Sequence, residues 1–121
     1  MDKPLAVIIE DDIEIGRIFA LTLQSEFEIE SFTDGAEALA RLQQVIPTII
    51  VLDLNMPAMS GMEILNKVRA DERLASTSVI LATADAVSAA ALRDSADIVL
   101  IKPVSPVQLQ QLASRLRSMN M

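Results

Sequence analysis

Short aliphatic runs alternate along this chain with longer segments in which apolar residues recur every three or four positions. The runs predict β-strands, and they are Leu5–Ile9, Glu28–Ser31, Thr48–Leu52, Ser78–Ala82 and Ile98–Ile101. The longer segments predict helices, and they are Ile13–Ser25, Asp34–Val45, Met62–Ala70, Ala86–Asp94 and Val107–Ser118. All runs except the weak Glu28–Ser31 are almost continuously apolar, which is typical of strands buried on both faces of a sheet.

Residues typical of helix starts support four of the five helices. They are Asp34 with Glu37, Ser60 with Glu63, Asp85, and Ser105 with Pro106 and Gln108. Five strand–helix units in succession predict an α/β fold, in which right-handed crossovers build a doubly wound parallel sheet. The length of 121 residues and the lack of any linker-like segment predict a single domain, residues 1–121.

Composition narrows the chemistry that this chain can perform. Ten basic against 17 acidic residues give a net charge of −7, which argues against direct nucleic-acid binding through a basic face. The absence of cysteine and histidine excludes disulfides, thiolate–zinc sites, imidazole bases and a phosphohistidine on this chain. No apolar run reaches membrane-spanning length, so we expect a cytoplasmic domain with no membrane partner.

Polar side chains follow four of the five predicted strands. They are Glu10, Asp11 and Asp12 after the first, Asp53 and Asn55 after the third, Thr83 after the fourth, and Lys102 after the fifth. Ligands of such sheets bind beyond the carboxyl ends of the strands, so we expect these groups to converge there. Neighbouring carboxylates need neutralisation beyond that from Lys102. The all-oxygen donor set favours Mg²⁺ (or Mn²⁺), held by Asp11, Asp53 and a main-chain carbonyl near Asn55.

Each of these residues also has an ordinary structural interpretation. The acidic run Glu10-Asp11-Asp12 is consistent with capping of the next helix, and Asp53 with a turn before Pro57. Thr83 is consistent with a plain strand residue or cap, and Lys102 with a solvated side chain. Taken together, however, these interpretations leave unexplained why four separate strand ends carry complementary groups.

Four motifs in this order resemble the receiver domain of two-component response regulators, from Leu5 to about Met119. They are Ile-Ile-Glu-Asp-Asp at 8–12, Asp-Leu-Asn-Met-Pro-Ala-Met-Ser-Gly at 53–61, Ala-Thr-Ala at 82–84 and Lys-Pro at 102–103. The resemblance implies a flavodoxin-like (βα)5 fold with strand order 2-1-3-4-5. It also implies that the domain accepts a phosphoryl group from the phosphohistidine of a sensor histidine kinase or a phosphotransfer protein.

The resemblance implies a role for each matching residue of the acidic site. Asp53 is expected to be the phosphoacceptor, with Asp11 as a direct Mg²⁺ ligand and Glu10 as a ligand through water. Asn55 is expected to offer its main-chain carbonyl to the metal. On this reading the chain is a signalling domain that assists its own aspartyl phosphorylation and dephosphorylation, and not an enzyme.

The resemblance also implies the parts of a switch. Thr83 is expected to be the switch hydroxyl and Lys102 the lysine that faces the phosphoryl group. The Lys102–Pro103 peptide bond is expected to be cis, which is inexpensive only before proline.

Three positions of the usual output machinery depart from the family pattern. Val99 replaces an aromatic residue, Val104 replaces a Phe, and Ser95 replaces a Gly. No aromatic residue follows Phe32, so an aromatic rotamer cannot relay the signal. We therefore expect the loop after the fourth strand to move, or an output domain or partner to bind an aliphatic surface of the fourth helix, fifth strand and fifth helix. The sequence leaves the identity of that partner and a homodimer open.

Two other functions compete with the phosphoacceptor. A Mg²⁺-dependent aspartyl phosphatase would need an Asp-x-Asp pair, and Asn55 in Asp53-Leu54-Asn55 cannot exchange the required proton. A receiver-fold interaction module that works without phosphorylation is the other alternative, because the output positions are altered. A nucleotide-binding domain is disfavoured, since the three glycines form no Gly-rich loop after the first strand.

Overall fold

Five strands alternate with five helices in residues 3–119, which are the residues that the computed structural model describes. The strands are β1 (Leu5–Ile9), β2 (Glu28–Phe32), β3 (Ile49–Asp53), β4 (Ser78–Thr83) and β5 (Ile98–Ile101). The helices are α1 (Ile13–Leu23), α2 (Gly35–Leu42), α3 (Gly61–Ala70), α4 (Ala86–Leu92) and α5 (Pro106–Met119). A short 3-10 turn, Glu72–Leu74, follows α3 and is not predicted by the sequence pattern.

The five strands form one parallel sheet in the order β2-β1-β3-β4-β5, which confirms the predicted doubly wound topology. Ile9 pairs with Leu52, Leu52 with Leu81, and Leu81 with Val99, so these residues form one row across the sheet. The residues that follow this row therefore leave the sheet at the same edge. The functional candidates lie along that edge.

Both faces of the sheet are covered, which explains the continuous apolar runs. Alternate residues pack on one side against α2, α3 and α4, and they are Val7, Ile9, Ile50, Leu52, Val79 and Leu81. The intervening residues pack on the other side against α1 and α5, and they are Ala6, Ile8, Ile49, Val51, Ile80 and Leu100. Strand β2 lies at an edge with Glu28 and Ser31 exposed, which accounts for its weak apolar signal.

The predicted helix starts are confirmed, whereas several predicted helix ends extend too far. Asp34 caps α2 by accepting from Ala36 N at 2.7 Å, and comparable contacts are made at the other starts by Ser60, Asp85 and Ser105. Helix α2 ends at Leu42 and not at Val45, because the following residues form tighter turns. Helices α1 and α4 likewise end two residues before the predicted Ser25 and Asp94.

Arg69, in the last turn of α3, joins three segments at the amino-terminal edge of the sheet. Its Nε donates to Ser95 O at 3.0 Å, Nη1 to Thr77 O at 3.1 Å, and Nη2 to Asp97 Oδ2 at 2.8 Å. Asp97 Oδ2 also accepts from Val79 N at 2.7 Å. These contacts fix the loop before β5 to the start of β4.

Candidate functional site

Three carboxylates meet where β1 and β3 leave the sheet. Each of Glu10, Asp11 and Asp53 offers an oxygen that lies within 4.8 Å of the other two. Glu10 and Asp53 are almost completely buried, at 2% and 3% exposure, whereas Asp11 is exposed. The structure therefore brings together the acidic residues that the sequence analysis placed at this edge.

Lys102 supplies a positive charge to this cluster from the end of β5. Its Nζ lies 3.0 Å from Glu10 Oε1 and 3.3 Å from Asp53 Oδ1. The main-chain N–H of Lys102 donates to Thr83 O at 2.8 Å, and the Lys102–Pro103 peptide bond is cis, as predicted. One ammonium thus faces three carboxylates, which leaves the cluster with excess negative charge.

This excess charge and the burial of the cluster shift the pKa values of its members. Burial raises the pKa of Glu10 to about 7, although the Lys102 ammonium acts in the opposite direction. Burial also raises the pKa of Asp53, and a hydrogen bond with Asp11 raises it further. The same contact with Asp53 lowers the pKa of Asp11. Burial acts to lower the pKa of Lys102, but its contacts with Glu10 and Asp53 outweigh this and raise it.

The cluster has the chemistry of a site for a hard divalent cation. Its donors are all oxygens, and two of the three carboxylates are buried beside each other. Glu10 Oε1 is buried and, although paired in charge with Lys102, has no hydrogen-bond partner of acceptable geometry among the described residues. The ion pair leaves this buried oxygen without a well-directed hydrogen bond, and a cation or its water would complete its environment. The residues present therefore fit Mg²⁺.

Asp12 does not join the cluster and instead begins α1. Its Oδ1 accepts from Glu14 N at 2.9 Å and from Ile15 N at 3.1 Å. The acidic run is therefore divided between two tasks. Glu10 and Asp11 contribute to the cluster, and Asp12 performs the capping that the sequence allowed for the acidic run as a whole.

Thr83 lies next to the cluster but is not hydrogen-bonded to it directly. Its side chain is fully buried, and Oγ1 accepts from Asp85 N at 3.1 Å and from Asn55 Nδ2 at 3.4 Å. The contact between the Asn55 amide and Thr83 was not predicted from the sequence, where the main-chain carbonyl of Asn55 was expected to contribute to the site. The Asp-x-Asn spacing was the available signal, because it places an amide in the loop directly after Asp53.

The three positions that depart from the family pattern, Val99, Val104 and Ser95, lie in ordinary packing environments. Val99 is half-buried against the core between the sheet and helices α2 to α4. Val104 is half-buried against the opposite core. Ser95 contributes its carbonyl to the Arg69 contacts. None of the three contacts the carboxylate cluster through a described hydrogen bond.

In the metal-free protein, replacement of Glu10 by Gln is expected to raise the free energy of unfolding at about pH 8 by about 1–3 kcal/mol. Because burial raises the pKa of Glu10 from 4.5 to about 7, the native state binds the proton more tightly than the unfolded chain does. The wild type therefore loses stability as the pH rises from about 4.5 to about 7, and a Gln side chain avoids this loss.

Urea unfolding with a chelator present, at about pH 5 and about pH 8, measures this effect. Glu28→Gln is the matched control, since Glu28 is exposed on β2. A Glu10→Gln gain that is no larger at the higher pH than at the lower would contradict the prediction.

The fold and the carboxylate cluster together define a class of protein. A parallel sheet of this order, with its polar groups at the carboxyl ends of β1 and β3, is a flavodoxin-like domain with its site at the topological switch point. A family model described as the response regulator receiver domain matches residues 6–114. The chain therefore belongs to the response regulator receiver domain family.

Individual relatives agree with this assignment. Hybrid signal transduction histidine kinase D of Dictyostelium discoideum is 33% identical over 85 residues, which are 70% of this chain and 6% of that protein. The chain thus spans a small part of the length of this curated relative. The chemotaxis response regulator CheY4 of Vibrio cholerae is 29% identical, with a TM-score of 0.86 over 94% of this chain and 98% of that one.

A BeF3-activated receiver domain of DrrB, a Thermotoga maritima OmpR/PhoB homologue, is 25% identical. Its TM-score is 0.87 over 96% of this chain and 98% of that one.

Within residues 3–119, no helix combines the length and apolar character needed to cross a bilayer.

Proposed function

We propose that this receiver domain accepts a phosphoryl group on Asp53 from the phosphohistidine of a sensor histidine kinase or phosphotransfer protein, with Mg²⁺ (or Mn²⁺) as cofactor. One observation supports this most directly. The Asp53 carboxylate is buried at the switch point, 3.3 Å from Lys102 Nζ and inside a cluster of three carboxylates. We place the whole domain, residues 1–121, in the cytoplasm, where the kinase draws on ATP.

In the proposed reaction, an Asp53 carboxylate oxygen attacks the phosphorus atom in line. The phosphorus–nitrogen bond breaks, the imidazole nitrogen keeps the electron pair, and an acyl phosphate forms on Asp53. Lys102 faces the phosphoryl oxygens and offsets their charge. The acceptor is held firmly, because Leu54 N donates to Ala82 O at 3.0 Å and Gly61 N donates to Leu54 O at 2.9 Å.

Four residues would hold the metal ion. Asp11 and Asp53 would bind through their carboxylates, Asn55 through its main-chain carbonyl, and Glu10 through water. When bound, the ion neutralises charge on the carboxylates and on the phosphoryl oxygens. This agrees with the burial of Glu10 Oε1, which has an ion pair with Lys102 but no well-directed hydrogen bond.

The acyl phosphate would bias a switch next to the site. It adds negative charge and strong hydrogen-bond acceptors, towards which Thr83 can turn its hydroxyl. This rotation removes the contact between Thr83 Oγ1 and Asp85 N, so the loop that leads into α4 is displaced. A partner would then bind the domain with the displaced loop.

The surface proposed to report this change is aliphatic. Val87 on α4, Ile101 on β5 and Val107 on α5 are 81%, 44% and 63% exposed. An output domain or a separate partner is the proposed occupant, and a second copy of this chain is the alternative. The lack of an aromatic residue after Phe32 means that the loop itself, and not an aromatic rotamer, transmits the change.

Incubation of the wild type with a small acyl phosphate is expected to add the mass of one phosphoryl group, and this gain is expected to require Mg²⁺. Asp11→Asn is expected to lower the labelled fraction at least about tenfold at limiting Mg²⁺, since it replaces a negatively charged ligand with a neutral amide. Intact mass measured with and without chelator checks both results. Asp34→Asn is the control, because Asp34 caps α2 and Asn also caps well.

Beryllofluoride binding is measured in parallel, so that rapid hydrolysis of the acyl phosphate is not mistaken for lack of reaction. If the folded wild type gains no mass and binds no beryllofluoride with Mg²⁺ present, the proposal is wrong. The phosphorylation-independent interaction module would then be the better account of this domain.

A further inference from the structure

We propose that the side-chain amide of Asn55 restrains the Thr83 hydroxyl in the unphosphorylated domain, so that Asn55 is a positioning residue that sets the cost of switching. This inference rests on the proposed function, because it concerns the regulation of the same site. It assigns to the Asn55 side chain a task separate from that of its main-chain carbonyl.

The hydrogen bonds of Thr83 define its position in the unphosphorylated domain. Its side chain is fully buried at the end of β4, and Oγ1 accepts from Asn55 Nδ2 at 3.4 Å and from Asp85 N at 3.1 Å. A hydroxyl oxygen has two acceptor lone pairs, and these two donors occupy both. The hydroxyl proton therefore points away from Asn55 and Asp85 and is available to a new acceptor.

Asn55 is well placed to act on both parts of the switch. Its main-chain N–H donates to Asp53 Oδ1 at 3.1 Å, while its side chain reaches Thr83 on the neighbouring strand. The loop that carries it is attached to β4 through the hydrogen bond from Leu54 N to Ala82 O, and to the start of α3 through the hydrogen bond from Gly61 N to Leu54 O. The main chain of Asn55 is therefore anchored beside Asp53, and its amide extends from this anchored position to Thr83.

Rotation of the Thr83 side chain about its Cα–Cβ bond moves Oγ1 itself, and in our proposal this movement breaks the contact with Asn55. The contact with Asp85 belongs to the loop that is displaced in any case. The Asn55 contact is a hydrogen bond between neutral groups, and its length is near the upper limit for such bonds. Its contribution to the free energy therefore lies at the low end of the usual range for hydrogen bonds. Its removal is expected to favour the switched state about two- to fivefold.

Beryllofluoride titration in saturating Mg²⁺ tests this proposal in four proteins: wild type, Asn55→Ala, Thr83→Val and the double variant. We expect Asn55→Ala to tighten the apparent affinity about two- to fivefold in the Thr83 background and to have no effect when Val replaces Thr83. Asn66→Ala is the matched control, because Asn66 is exposed on α3 and has no described hydrogen bond to Thr83. It is expected to leave the affinity unchanged.

A second measurement does not depend on the bound mimic. In the metal-free protein, the methyl carbon shift and side-chain couplings of Thr83 report its rotamer, and Asn55→Ala is expected to change them while Asn66→Ala does not. If Asn55 had only a structural role, Asn55→Ala would change the affinity for beryllofluoride equally in the wild-type and Thr83→Val backgrounds.

The failures of the two proposals are distinguishable. Weaker binding by Asn55→Ala, or an equal change in the Thr83→Val background, would overturn the restraint by Asn55 and leave the phosphoacceptor function intact. Absence of Mg²⁺-dependent beryllofluoride binding in the wild type would overturn both proposals together.

Discussion

Replacement of Asp53 by Asn is expected to reduce the phosphoryl adduct below detection, even at saturating Mg²⁺ and acyl phosphate. An amide oxygen is a far weaker nucleophile than a carboxylate, and the substitution preserves shape while removing the negative charge. Asp53 lies within the cluster, 3.3 Å from the Lys102 ammonium, and it is the member of the cluster that belongs to the central strand β3. Intact mass measures the labelled fraction directly.

Asp12→Asn is the matched control for this experiment. It makes the same chemical change one position beyond the Glu10-Asp11 pair, and Asn retains the ability to cap α1. We expect its labelled fraction to equal that of the wild type. Undiminished labelling of the Asp53 variant, mapped by peptide mass to Asp11 or Glu10, would show that another carboxylate is the acceptor.

Replacement of Gly61 by Ala is expected to destabilise the protein by about 3 kcal/mol or more. A Cβ atom at this position would lie 2.5 Å from both Asp53 O and Leu54 Cα, and 2.9 Å from Leu54 O. All three neighbours are main-chain atoms, so relief requires movement of the main chain at Asp53 and Leu54. The reason is close approach and not backbone conformation, because no glycine among the described residues has a positive φ.

Gly16→Ala is expected to have the opposite effect on stability to Gly61→Ala. A Cβ at Gly16 would meet the Glu10 side chain at 3.9 Å, which is ordinary van der Waals contact, and Gly16 lies within α1. Ala is the better helix former, so we expect a gain of about 0.5–1 kcal/mol. Urea unfolding of both variants checks the pair, and equal effects would refute the steric explanation for Gly61.

Much of the fold could be predicted because its strongest signals are local. Strands β1, β3 and β4 are buried on both faces, so burial itself produces continuous apolar runs. Helix starts were equally clear, since Ser and Asp caps bond to main-chain groups two or three residues away. Helix ends were less clear, because Gln43 and Gln44 favour helices in sequence but close turns in the structure.

The composition of the site could also be predicted, because parallel strands bring their carboxyl ends to one edge. Which of these side chains contact each other could not be predicted. Nothing local indicates that Lys102 lies as close to Glu10 as to Asp53, or that Asn55 reaches Thr83, 28 residues later in the chain. Such contacts depend on strand register and side-chain rotamers, which a sequence pattern does not encode.

The contacts of Arg69 determine which part of the chain is free to respond to Thr83. They hold Ser95 and Asp97 at one end of β5, and the hydrogen bond from Lys102 N to Thr83 O holds the other end. Between Thr83 and Ser95 remains a stretch of eleven residues, at positions 84–94, of which α4 is the main part. On the proposed function, a displacement that begins at Thr83 is therefore directed into this stretch, which contributes α4 to the surface that a partner would bind.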